Sequence, residues 1–578
     1  MLRRLLAICL LVFWGGVALG QETSRAPEAA TEATAKGLTV AARHIVVAAH
    51  PLAAQAGREI LRQGGSAVDA AIATQLVLGL VEPQSSGLGG GAFIVTWNAA
   101  AHEVKTYDGR ETAPAAAKPD RFLRAGVPMD FSDAVHSGLS VGVPGAVRVM
   151  ELAHQKHGKL AWAKLFAPAI KLAEDGFAMP VRLNRLLAEE DAAKFSPVAR
   201  AYFFDEHGVA KPAGTPIKNL DYAATLRDIA ADGARAFYDG RIADAIVAAV
   251  ALAPGGDLTR ADCASYEAKE RSPVCFAYRA RKICGMGPPS SGALTVAQTL
   301  KLIEPFSAVQ GVDQRMSTAA LHLIVESEKL AYADRNRFIA DPDAIAVPEG
   351  LLDGGYLDSR RALIDAKQAM PPPLAGLPPG LSKRTYGVDA TREAAGTSHI
   401  SIVDDDGNAV AMTTTIESAF GSHLWAAGFL LNNELTDFSF FPADREGNVA
   451  ANAVGGGKRP RSSMSPTLVF DAKGELEIVT GSPGGGRIIL FVVKALVAML
   501  DWRMDAQEAA TLMNFGSEGG VVEYEPGSPY QQEALKMTDY GHALRGETMS
   551  SGVHTILRRA GHLEGGADPR REGVALGD

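Results

Sequence analysis

The chain has 578 residues, 47% of them hydrophobic and 21% charged, the profile of a globular protein with enough apolar surface for a large core. A formal net charge of −9 at pH 7 gives neither the basic footprint of a nucleic-acid binder nor a basic patch for a membrane surface. The 60 glycines and 31 prolines predict frequent turns, with no collagen-like or simple-sequence tract.

The first element in chain order is "MLRRLLAICLLVFWGGVALG". Arg3 and Arg4 precede an apolar run from Leu5 to Val17, and Ala18-Leu19-Gly20 supplies small residues for cleavage. Residues 1–20 therefore read as a secretory signal peptide, and the expected location is periplasmic or secreted. The alternative, an uncleaved anchor, is disfavoured because the run is short for a membrane span. Residues 21–40 are Ala/Glu/Thr-rich without apolar periodicity and read as a flexible linker.

From about residue 41 the pattern is mixed, and the length suggests several domains or one large α/β body. "PLAAQAGREILRQGGSAVDAAIATQLVLGLVEP" reads as two helices split at Gly64-Gly65, and "GAFIVTWN" with "EVKTYDGRE" as paired strands. Helical patterns follow between 145 and 340. Within "AALHLIVESEKLAYADRNRFIA", His322 and Glu326 stand one helical turn apart, but no third ligand is in view and no metal site is expected. Beyond the leader the cysteines are Cys263, Cys275 and Cys284. "CFAYRARKIC" brings its ends face to face if it is a hairpin, which predicts a Cys275–Cys284 disulfide. The Pro/Gly-rich and then polar stretch from Pro371 to Gly396 reads as an exposed linker and a natural place for a chain break. Strand patterns then cover 397–416, 427–433, 466–471 and 476–481, and helical ones about 486–500 and 505–514. No internal repeat is present.

The hairpin "GTSHISIVDDDGNAVAMTTTIES", Gly396 to Ser418, carries many hydroxyls at its outer ends. A three-residue loop, Asp405-Asp406-Gly407 with Gly in the left-handed position, pairs Thr397 with Thr415 and puts Glu417 on the same side. A two-residue loop, Asp406-Gly407, is the alternative, and a one-residue slip would separate the pair. Downstream, "LLNNELTDFS" places Glu434 and Asp437 three residues apart, where they can hold an ammonium group. "KRPRSSMSP" presents Ser462 and Ser463 between prolines. In "TGSPGGGRI", Gly484 and Gly485 lie between a strand and a helix, where backbone N–H groups can face an oxyanion. "EPQSSGLGGGAFIV" is a second glycine-rich turn, read as structural, and Arg110 in "YDGRETAP" is a lone base at a strand end, suited to a carboxylate.

In this order and spacing these motifs, together with "GPPSSG" at 287–292, resemble the γ-glutamyltransferases, from about residue 41 to "DPR" at 568–570. The resemblance implies an α+β fold, the four-layer αββα sandwich of an N-terminal-nucleophile hydrolase, made from one self-cleaving precursor and needing no cofactor. Cleavage between Gly396 and Thr397 would give a large chain, 41–396 after the leader and linker, and a small chain, 397–578, that stay together as a heterodimer. Thr397 would be nucleophile and, through its new α-amine, base; Thr415 would hydrogen-bond it, and Gly484 and Gly485 would supply the oxyanion hole. Arg110, Ser462 and Ser463 would hold the donor α-carboxylate, and Glu434 and Asp437, aided by Glu417, its α-ammonium. The implied substrates are γ-glutamyl amides such as glutathione, with water or an amino-acid or peptide amine as acceptor.

Glu417 stands where many members carry Asn, the segment between Ser439 and Ser462 is too short for the lid loop of some members, and "LMNFGSEGG" lacks their "PRF"-like sequence. Two other functions compete: a cephalosporin (glutaryl)-type acylase on the same scaffold, and a binding protein that never matures.

Overall fold

The computed structural model describes residues 34–381, 386–389, 391, 393 and 396–578. The leader reading at 1–20 and the linker reading up to 33 lie outside the described residues. Fourteen strands build two sheets. They are β1 (Thr39–Ala41), β2 (Ile45–Ala48), β3 (Gly91–Asn98), β4 (Glu103–Gly109), β5 (Lys269–Arg271), β6 (Val274–Tyr278) and β7 (Arg281–Gly285), followed by β8 (Gly396–Val403), β9 (Ala409–Glu417), β10 (Thr467–Phe470), β11 (Leu476–Gly481), β12 (His554–Arg559), β13 (His562–Ala567) and β14 (Val574–Gly577). One sheet runs β14-β2-β8-β9-β3-β4-β5 and the other β1-β13-β12-β11-β10-β7-β6, each seven-stranded and antiparallel throughout.

The central strands are buried on both faces, so their sequences are apolar at consecutive positions instead of alternating with polar ones. In β8 and β9, Ile400, Ile402, Val410 and Met412 pack toward α1 (Pro51–Arg62) and α2 (Ala67–Val81). Val403, Ala409 and Ala411 take the opposite face and meet Val469, Ile478 and Val479 of the second sheet. Helices α3 (Gly292–Ile303), α4 (Thr318–Phe338) and α5 (Ile488–Leu500) cover that sheet from outside, completing the four layers. The two-helix reading holds for a local reason. Gly64 takes φ +82°, and Ser66 then caps α2 reciprocally with Asp69, each backbone N–H donating to the other side chain.

Two expectations change at their edges. Thr39 and Val40, read as the end of the linker, open the edge strand β1 because they pair with Gly565 and Glu564 of β13. The strand expected over 427–433 is only Phe429–Leu430, turned back on Trp425–Ala426. Gly428 at φ +95° bends the chain between them. Among the described residues no helix is long and apolar enough to cross a membrane. Cys275 and Cys284 lie opposite each other in β6 and β7 and form a disulfide, whereas Cys263 is buried and unbridged.

Candidate active site

The β8–β9 hairpin closes through a three-residue loop. Val403 pairs with Ala409, Asp404 N–H donates to the Asn408 carbonyl at 2.9 Å, and Gly407 takes φ +79°. This register sets Thr397 opposite Thr415. Beyond it the ladder slips by one residue, so that Gly396 faces Glu417 across a bulge. Glu417 has φ +78°, a conformation uncommon for a residue with a side chain, which aims its carboxylate into the site. The bulge also frees the Glu417 N–H, which donates to Thr415 Oγ1 at 2.8 Å. Thr415 in turn donates to the Gly396 carbonyl oxygen at 2.5 Å, and its Oγ1 lies 3.5 Å from Thr397 Oγ1. Arg571 Nη1 donates to the Thr397 carbonyl at 3.0 Å, fixing the peptide on its other side.

The glycine-rich turn before β3 makes this approach possible. A Cβ on Gly90 would lie 1.9 Å from the Thr415 carbonyl oxygen, so the turn read as structural is a seat for β9. All the site residues proposed from the sequence, except Gly396 and Gly484, line a single cavity with Glu393, Met464 and Ile488. Its volume is about 20 Å³, room for roughly one water.

Charge fills the rest of the space. Arg110 leaves the end of β4 and is 1% exposed. Its Nη1 donates to Glu434, its Nη2 to Asp437 Oδ2 at 2.5 Å and to the Arg461 carbonyl at 2.6 Å, and its Nε to the Pro460 carbonyl at 3.1 Å. Arg110 therefore does not stand apart awaiting a carboxylate: it is ion-paired to the two acids read as the ammonium holders. Burial works against its charge, but Glu434 and Asp437 outweigh that and hold it protonated. Burial pushes the Glu434 and Asp437 carboxyls well above their ordinary range, with Arg110 opposing the shift, and raises Glu111 to about 8. Arg110 pairs with Glu434 and Asp437 while Glu417 lies beside them, so these crowded carboxyls are pushed toward the protonated form and an incoming cation would favour their ionisation. Asn432 and Asn433 hold the acids in place: Asn432 Oδ1 accepts from Glu434 N–H at 3.0 Å, and Asn433 Nδ2 donates to Glu417 at 2.5 Å.

Ser462 and Ser463 occupy a loop locked to the 287–292 turn, where Ser291 N–H and Oγ both donate to the Ser462 carbonyl, at 2.7 and 2.8 Å. Gly484 (φ +140°) and Gly485 (φ +57°) make the sharp entry into α5. Neither glycine N–H donates to a protein acceptor among the described residues, and Gly485 lines the cavity. Sequence reasoning missed Glu393 and Arg335. Glu393 lies in the stretch read as a linker, and Arg335 in α4, whose acidic and basic residues are mostly buried and erase its amphipathic pattern.

The helix pair His322/Glu326 does gain a neighbour that the sequence did not reveal. His542 Nε2 lies 2.7 Å from His322 Nδ1, and the three side chains could converge on a cation. The cluster is already satisfied, however: Lys329 pairs with Glu326 at 2.8 Å, and His322 Nε2 meets the Asp365 carbonyl at 2.7 Å.

Two antiparallel sheets between helical layers, with a buried threonine at the head of a central strand, define the N-terminal-nucleophile hydrolase fold. The sequence profile of the family described as gamma-glutamyltranspeptidase matches residues 53–578. The chain belongs to the gamma-glutamyltranspeptidase family. It is 33% identical to a glutathione hydrolase proenzyme of Bacillus subtilis (strain 168), over 99% of this chain and 97% of that one. It is 36% identical to a glutathione hydrolase proenzyme of Escherichia coli (strain K12), over 91% and 90%. The solved structure of a cephalosporin acylase from Bacillus halodurans aligns with a TM-score of 0.82 at 25% identity, covering 96% of this chain and 99% of that one.

Proposed function

We propose that this family member is a glutathione hydrolase and γ-glutamyltransferase that matures by cutting itself between Gly396 and Thr397. The observation that carries this reading is the triple contact at the bond to be cut: Thr415 donates to the Gly396 carbonyl and sits beside the Thr397 hydroxyl, next to a cluster of charges. A hydrogen bond to that carbonyl polarises it toward attack. Thr397 Oγ adds to the Gly396 carbonyl carbon, the C–N bond breaks, the proton passes to the departing nitrogen, and water hydrolyses the resulting ester. The large chain then ends at Gly396 and the small chain begins at Thr397, the two remaining interleaved in one sheet, where β8 lies between β2 and β9.

In the matured protein the Thr397 α-amine, with a pKa near neutrality, takes the hydroxyl proton as Thr397 attacks the γ-carbonyl of the donor. The N–H groups of Gly484 and Gly485 face the oxyanion, and the acyl-enzyme passes to water or to an amine. Glu434 and Asp437 receive the donor ammonium, and Ser462 and Ser463 its carboxylate. Export fits the leader-like run at 1–20 and the Cys275–Cys284 disulfide.

Similarity to a cephalosporin acylase favours a second reading, a glutaryl amidase. Glutaryl amides lack the α-amine, so the acid-rich pocket predicts at least a tenfold higher kcat/KM for γ-glutamyl p-nitroanilide than for its glutaryl counterpart. A preference for glutaryl would replace the first reading with the second. Thr415→Val keeps the shape but removes the hydroxyl. Valine leaves the Glu417 N–H without its acceptor and removes the bond to the Gly396 carbonyl; loss of that bond, about 1–3 kcal/mol, predicts maturation slowed roughly 5- to 150-fold on a timed denaturing gel. Cleavage at the normal rate would remove Thr415 from the step.

A further inference from the structure

Residues 34–41 form a strap that reaches the loop behind the nucleophile. Thr34 N–H donates to the Pro569 carbonyl at 3.1 Å, and Thr39–Ala41 pair with β13. Between them Lys36 Nζ donates to the backbone carbonyls of Asp568 at 2.8 Å, of Arg571 at 2.6 Å, and of Gly573. These three oxygens belong to one short loop, residues 568–573, that carries the chain from β13 in one sheet to β14 in the other. Burial lowers the Lys36 pKa to about 8, with the carboxylates of Asp568, Glu572 and Glu82 opposing the shift. At pH 7 the group is therefore mainly an ammonium, with three protons for three acceptors. Lys36 lies in the stretch read as a flexible linker, where no periodicity pointed to it.

We propose that Lys36 is a positioning residue for the nucleophile: it draws the 568–573 loop together, and the loop sets Arg571 against the Thr397 carbonyl. This rests on the reading of Thr397 as nucleophile. Arg571 is the link, because its Nη1 donates to the Thr397 carbonyl at 3.0 Å. Its side chain has no slack. Arg571 is 1% exposed, and a Cβ on Gly552 would lie 2.8 Å from its Cδ, so the guanidinium follows its own backbone. The loop is held at one end by the Asp568 carboxylate, which accepts from Val553 N–H at 3.1 Å and Arg570 N–H at 3.0 Å. At the other end Gly573 is wedged, since a Cβ there would lie 2.7 Å from the Ala48 carbonyl oxygen. Between these ends the carbonyls of 568, 571 and 573 turn toward a single point. Without a cation there they would repel one another and lose a partner. Once the Gly396–Thr397 bond is cut, Thr397 is tethered from one side only. The Arg571 contact then fixes how its hydroxyl and α-amine face the donor. After that cut Lys36 stands on the large chain and the loop on the small one, so the large chain helps to aim the small chain's nucleophile.

The test is hydrolysis of γ-glutamyl p-nitroanilide by the matured protein, with rates counted per cleaved chain. K36M is expected to lower kcat/KM roughly tenfold, the scale of a small misplacement of a reacting group, while the inhibition constant of L-glutamate stays within about twofold. Lys36 and Arg571 both border a cavity of about 660 Å³, which gives the longer side chain of K36R room to recover most of the loss. R571M should be slow by itself, and K36M/R571M no slower than R571M, because a residue acting through Arg571 has nothing further to remove. Thermal melts establish that each variant is folded, and R571K replaces R571M if the latter does not fold. A variant that stays uncut enters the same cycle through its cutting rate on a timed denaturing gel. Full activity in K36M, a K36R chain as slow as K36M, losses that multiply in the double variant, or a glutamate constant that rises as far as the rate falls would overturn the proposal. Absence of turnover by the matured wild type sinks the functional reading, and its presence leaves those outcomes counting against Lys36 alone.

Discussion

A Thr397→Ala chain is expected to stay as one uncut polypeptide and to lose turnover by about 10⁴-fold or more, the scale of removing a covalent nucleophile. Alanine lacks the only hydroxyl that both faces Thr415 and heads the strand beginning at the cut. Without it the Gly396–Thr397 amide stays intact, so no α-amine is released to act as base, and one substitution removes nucleophile and base together. Thr397 is 3% exposed, and alanine puts no nucleophilic oxygen at the head of the strand. Thr397→Ser restores a hydroxyl and should recover both cleavage and activity, more slowly. A denaturing gel with N-terminal sequencing of the smaller band is the check. The wild type should yield Thr-Ser-His-Ile, and a T397A chain that still cuts or turns over would exclude Thr397 as nucleophile.

How far the sequence could be read depended on how local each cause was. The Thr397–Thr415 pairing follows from a two-residue period and one left-handed glycine at 407, all within a single hairpin, and the observed register agrees. The bulge that turns Glu417 inward lies beside the glycine turn before β3, where Gly90 has no room for a Cβ against the Thr415 carbonyl, a contact between distant segments that no local pattern reports. The acids of "LLNNELTDFS" were legible as ammonium ligands, but their pairing with Arg110 was not, because 324 residues separate Arg110 from Glu434. Charge type can be read from a sequence, whereas the neutralising partner is set by the packing of distant elements. Glu393 and Arg335 mark the limit: one sits in a stretch without periodicity, the other on a helix with buried charges, and only the fold brings them to Ser463. The short strand at 429–430 failed for the opposite reason, since Gly428 overrode a good local pattern.

Asp437→Asn should change what the pocket selects more than whether it works. The amide keeps the volume and can still accept from Arg110, so the fold and the 3₁₀ turn Glu434–Asp437 should survive. What disappears is one carboxylate of the group gathered around a single guanidinium. Arg110 would then be balanced more nearly by Glu434 alone, and one carboxyl able to ionise toward an incoming ammonium would be gone. A hydrogen bond to a charged group contributes about 1.5–3 kcal/mol, so kcat/KM for γ-glutamyl p-nitroanilide should fall roughly 10- to 150-fold. Glutaryl p-nitroanilide, with no ammonium to lose, should hold its rate, so the preference between the two narrows by the same factor. Measuring both substrates on one preparation makes the comparison internal, because a fall shared equally by both would mean that Asp437 supports the site's structure instead of reading the donor's charge.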